Sequence, residues 1–129
     1  MSKLLGILLF LIGAVVLVPP LRTRAMPHLQ PVLDPFYTWS TRNRVNEIVK
    51  LVHEEQALGR PLPEPRRFQE YVEQREYQKG AGLDPWGTPF YIRTTRKSYK
   101  VGSAGPDRRP NTADDIVSAA QTRTGATRR

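Results

Sequence analysis

Residues Leu4–Val18, LLGILLFLIGAVVLV, carry neither a charge nor a polar side chain, and Pro19-Pro20 follow them directly. No small domain can cover so uniform a segment on every side, so it stands apart from whatever core the chain builds. As a helix it would rise roughly 22 Å, against a hydrocarbon layer of roughly 30 Å. Pro19, Pro20 and Leu21 nearly close that gap, and local thinning of a bilayer costs little. A cleaved signal peptide shares this pattern but needs small residues at its cleavage site. Here Thr23 and Ala25 flank Arg24, and two prolines sit where flexibility is wanted. Residues 1–21 are therefore expected to form an uncleaved membrane anchor. Lys3 before it and Arg22 and Arg24 after it do not settle its orientation.

Pro19, Pro20, Pro27, Pro31 and Pro35 fall within seventeen residues. Proline removes a backbone donor and clashes with the preceding turn, so no long helix is expected to cross this stretch. Residues 22–36 read as a semi-rigid extended spacer. Residues 37–120 remain for one domain, and 121–129 for a disordered basic tail. A domain of that size buries only roughly 60–65% of its unfolded surface. The chain has no cysteine, so any staple must be something other than a disulfide, and a bound metal is one such device.

Within the domain, Val45, Ile48, Val49 and Val52 repeat at helical spacing, with Trp39 and Leu58 as extensions of the stripe. Thr38, Ser40 or Thr41 can cap the start of this helix, and Gly59 with Pro61 supplies its stop. A second, short helix is expected near residues 66–78, burying Phe68, Tyr71 and Val72 and ended by Gly80 and Gly82. Asp84-Pro85-Trp86-Gly87 has the residue preferences of a type I turn, which leaves Trp86 to cap one end of the core. Phe90 and Ile92, then Tyr99 and Val101, alternate with polar neighbours as two half-buried strands joined by Thr94–Lys97. The expected class is α+β, with one longer and one short helix packed on a small antiparallel sheet.

The formal charge is +8 and the pI is about 10.3. Along the helical part, cations and glutamates interleave as on a solvated face. The surplus lies in Arg93, Arg96, Lys97 and Lys100 and in the tail residues Arg123, Arg128 and Arg129. A nucleic-acid partner is the lesser reading of that surplus, because no groove-reading motif or stacking array accompanies it. Enzyme chemistry finds no support. His53 has no second histidine at i+4, His28 lies in the proline stretch, and Glu54 and Glu55 diverge on a helix.

Ser103, Asp107, Asp114 and Asp115 place four hard oxygen donors within one irregular loop, enough in number to contribute to a calcium site. Read alone, the same residues also fit a local turn at Asp107 and a cap at Asp114. LDPWGTPFYI, followed by VGSAGPD and TADDI, resembles the C-terminal half of the major pseudopilin (protein G) of type II secretion systems. The resemblance spans about Thr41–Ser118. The glutamate of the prepilin motif is missing from Leu4–Val18, so it rests on the globular half alone.

The resemblance implies a pilin-like fold: membrane helix, spacer, domain and a metal-binding C-terminal loop. It also implies Ca2+ held by Ser103, Asp107, Asp114 and Asp115 with a backbone carbonyl at Val101. The implied role is structural and not enzymatic, with other pseudopilins or secretion components as partners. The implied location is the inner membrane, with the domain on its periplasmic or outer side. Two alternatives stay open: a basic adaptor contacting DNA through Arg93, Arg96, Lys97 and Lys100, and an anchored interaction module unrelated to secretion.

Overall fold

A computed structural model describes residues 2–17 and 19–124 of the chain. They divide into two compact units, Met1–Pro35 and Phe36–Arg129. Helix α1, Ser2–Leu17, holds the apolar segment. The large residues described between Leu4 and Leu11 are exposed, from Leu8 at 54% to Phe10 at 77%. No helix among the described residues is long and apolar enough to cross a membrane.

Helix α2 runs from Pro19 to Ala57, which corrects the expectation of an extended spacer over residues 22–36. The reason lies in the spacing of the prolines. Pro27, Pro31 and Pro35 are each four residues apart. The N–H of residue i bonds the carbonyl of i−4, so all three missing bonds fall on a single line of the helix.

The buried stripe of α2 is Thr41, Val45, Ile48, Val52 and Gln56. Trp39 and Leu58, expected to extend it, are 64% and 71% exposed. Polar residues therefore close both ends of the stripe. A single 3-10 turn, Pro65–Arg67, leads into α3, Phe68–Glu76. Phe68 and Val72 are buried and Tyr71 is half-buried. Helix α3 ends before the expected glycines, at Tyr77, whose φ of 53° is left-handed and whose N–H returns to the Glu73 carbonyl.

The Asp84–Gly87 turn forms as expected, with the Gly87 N–H bonded to the Asp84 carbonyl at 2.9 Å. Strands β1 (Tyr91–Thr94) and β2 (Ser98–Ser103) pair antiparallel. On its other edge β2 takes two short strands: β3, Ile116–Val117, beside Gly102–Ser103, and β4, Gln121–Thr122, beside Ser98–Tyr99. The sheet thus reaches two residues into the stretch expected as a disordered tail, because β4 supplies partners to the start of β2. Arg128 and Arg129 of that tail lie outside the described residues.

Val45, Ile48 and Val52 share one core with Phe68, Val72, Trp86, Phe90, Ile92, Tyr99 and Val101. Trp86 also meets Tyr37 edge to face, with centroids 5.9 Å apart. The architecture is α+β, three helices and a small antiparallel sheet.

Candidate functional site

The Asp84 side chain is buried and joins two segments that are far apart in sequence. Its Oδ1 accepts the N–H groups of Trp86 at 3.1 Å and Thr88 at 2.8 Å. Its Oδ2 accepts the Ser103 hydroxyl at 2.7 Å, and Ser103 Oγ in turn accepts the Gly105 N–H at 3.1 Å. A buried carboxylate needs such donors to offset its lost hydration. The turn residue therefore anchors the start of the loop.

The far end of the loop is gathered by Asp115, whose side chain is 7% exposed. Its Oδ2 accepts from the Tyr91 hydroxyl at 2.6 Å, the Asn111 N–H at 2.9 Å and Arg93 Nη2 at 3.3 Å. Its Oδ1 accepts the Thr112 N–H at 3.3 Å and the Thr112 hydroxyl at 3.4 Å. Burial pulls this carboxyl's pKa upward. The hydrogen bonds from Tyr91, Asn111 and Thr112 and the charge of Arg93 outweigh burial and hold it below its usual value. Burial, then the hydrogen bond to Asp115 and its charge, push the Tyr91 phenol far above its ordinary value. The Arg93 guanidinium also lies 4.8 Å from the centre of the Tyr91 ring, a cation–π distance.

Gly102 makes this reach possible. A Cβ there would stand 2.6 Å from the Tyr91 ring, so only glycine lets the ring lie across β2 toward Asp115. Gly105 closes the loop itself. Its φ is +71°, and a Cβ would fall 2.1 Å from the Asp114 carbonyl oxygen. Backbone thus meets backbone at the loop's neck. Arg108 and Asn111 are also left-handed, at φ 58° and 72°; Asn111 tolerates this readily and arginine less so.

The five expected calcium donors are placed as follows. Ser103 binds Asp84. The Val101 carbonyl accepts the Ser118 N–H at 2.9 Å, as a strand partner would. Asp107 Oδ1 accepts the Arg109 N–H at 2.8 Å, which is the local turn of the plainer reading. The Asp114 side chain is exposed. Asp115 is held by Tyr91, Arg93, Asn111 and Thr112. The neck brings Gly105 and the Asp114 backbone together. Among the described residues no three His, Cys, Asp or Glu side chains are grouped to hold a metal ion. Lone pairs that a cation would use accept N–H and O–H groups, and a guanidinium already stands beside Asp115.

Asp84, Tyr91, Arg93 and Gly102 carry this network, and of these only Gly102 is assigned to the loop by sequence. A glycine in the middle of a strand signals a close approach by another group, and Gly102 was the available clue.

A second polar centre ties the helices together. Arg44 donates to Glu76, to the Ala81 carbonyl at 3.0 Å and to Glu47 at 3.2 Å. Glu55 accepts from both Arg60 and Arg75, at 2.6 and 2.9 Å. These pairs leave the helical side close to balanced in charge.

No family model, no curated protein and no solved structure matches this chain.

Proposed function

We propose that the chain is a membrane-anchored, pseudopilin-like structural subunit of a type II secretion or related pilus-like machine, and not an enzyme. One observation carries the reading. The two motifs behind the resemblance, the DPWG turn and the Ser-x-Gly-x-Asp segment, are joined by the buried Ser103–Asp84 hydrogen bond. A purely local coincidence of motifs would not require them to meet. The exposed apolar residues Leu4–Leu11 of α1 support a membrane location, since such a surface is unfavourable in water. The domain would lie on the periplasmic or outer side of the inner membrane.

Cross-linking of the full chain in intact cells tests this reading. The expected result is a carbonate-resistant membrane protein that cross-links to copies of itself or to another pseudopilin. A chain washed free by carbonate and cross-linked to nothing overturns it.

A calcium-bound form of the loop is a separate proposal that follows from the resemblance. It requires Asp107 to release the Arg109 N–H and Asp115 to exchange its present donors for the ion. Calorimetry of the full chain in detergent, with calcium and with chelator, decides it. A rise in melting temperature with calcium that Asp107→Ala abolishes would establish this form. An unchanged melting temperature removes calcium from the account.

A further inference from the structure

On the helical side four arginines have carboxylate partners: Arg44 with Glu47 and Glu76, Arg60 and Arg75 with Glu55, Arg67 with Glu70. The sheet side has fewer such pairs. Arg93 and Lys100 stand directly opposite each other across β1 and β2, and both are exposed. Like charges in that position destabilise a strand pair. Arg96 and Lys97 extend the cationic run around the turn, both exposed. Arg123 adds a fifth cation. Its N–H bonds the Lys97 carbonyl at 3.0 Å, and its guanidinium bonds the Thr95 carbonyl at 2.9 Å. Among the described residues, Arg93 alone of the five has a carboxylate within ion-pair distance, Asp115 at 3.3 Å.

We propose that this cationic face of the β1–β2 hairpin, with Arg123 laid against its turn, docks on a layer of anionic phospholipid headgroups. Spread-out positive charge without fixed acceptors suits a surface of diffuse negative charge. The face lacks what nucleic acid would ask of it. Its aromatic residue, Tyr91, is covered on one side by Arg93 and tied at its hydroxyl to Asp115, so no free ring is offered to a base. Nor is the hairpin a free ribbon able to enter a groove, because β4 and Arg123 are bonded along the turn end of β2. The inference rests on the anchored reading above, which puts the domain beside a bilayer. The headgroup contact would then hold the domain at the membrane before any assembly.

The absence of cysteine permits a single fluorescent label on the full chain at Thr94→Cys. The labelled protein is mixed with vesicles of phosphatidylcholine alone, or of phosphatidylcholine with phosphatidylglycerol, each carrying a headgroup quencher. Flotation on the neutral vesicles reads anchoring by α1, and label quenching reads the hairpin separately. Expected is quenching on the anionic vesicles only, lost at high salt and lost in Lys97→Gln/Lys100→Gln. Each lysine is worth roughly fivefold in affinity for an anionic surface, so the double variant should weaken hairpin contact about twenty-five-fold while flotation on neutral vesicles is unchanged.

Equal quenching on both vesicle types, or none on either, overturns the proposal. So does salt-dependent binding of duplex DNA through Lys97 and Lys100 without a lipid response. Failure to float on neutral vesicles, with quenching on anionic ones intact, would overturn the anchored reading and leave the headgroup contact standing.

Discussion

At the scale of single residues, Asp115 and the two glycines near it decide whether the loop closes. Asp115→Asn keeps the shape but weakens the charge-assisted bonds to Tyr91 and Arg93 and replaces a carboxylate oxygen with an NH2 group that faces donors. A loss of about 1–3 kcal/mol is expected, read by denaturant or thermal melting of the full chain. The pH dependence follows from the direction of the shift. Asp115 titrates below its reference value of 3.8, so its contribution is fully present above that reference and is lost as pH falls through the lowered value. The wild-type chain should therefore lose stability in acid more steeply than Asp115→Asn, and parallel acid limbs would contradict this.

The glycines differ in what a side chain would strike. Gly105→Ala meets the Asp114 carbonyl at 2.1 Å from a left-handed backbone, where an L-residue already costs about 1–2 kcal/mol. A loss well above that is expected. Gly102→Ala displaces the movable Tyr91 ring and should cost about as much as Tyr91→Phe, roughly 0.5–1.5 kcal/mol.

At the scale of elements, α2 carries prolines in its interior yet stays helical because their missing donors line up. Replacing Pro27, Pro31 and Pro35 together with alanine returns three backbone N–H donors to the chain. Each interior proline disfavours a helix by about 3 kcal/mol relative to alanine. The triple variant should show a stronger helical circular-dichroism signal and a later loss of that signal on heating. An unchanged spectrum would mean that this part of α2 is not helical in solution. The strands were legible from alternation at Ile92, Tyr99 and Val101. Strands β3 and β4 were not. Two residues are too few for a period, and both exist because β2 offers unpaired backbone groups along its second edge.

At the scale of the whole molecule, the α2 stripe, α3 and the sheet share one core, so the unit from Phe36 onward should unfold as one. Ile48 has no exposed surface, and Ile48→Ala is expected to cost about 2–5 kcal/mol. Near-ultraviolet and far-ultraviolet signals of that unit should shift together, and separate shifts would show that helix and sheet are not one cooperative body. The amphipathic stripe, the DPWG turn, the hairpin and the apolar segment all follow from residue order, because each depends on neighbours a few positions apart. Which donors each loop carboxylate would meet could not follow from that order. Tyr91 reaches Asp115, and Asp84 reaches Ser103, only once β2 lies between its partners. Trp39 and Leu58 belong to the same lesson: their apolar character suggested burial, but Trp39 lies off the helical line of Thr41, Val45, Ile48 and Val52, and Leu58 lies past the end of α2 at Ala57. Local periodicity determined the elements, while the long-range register of the sheet decided which polar groups the loop would bring together.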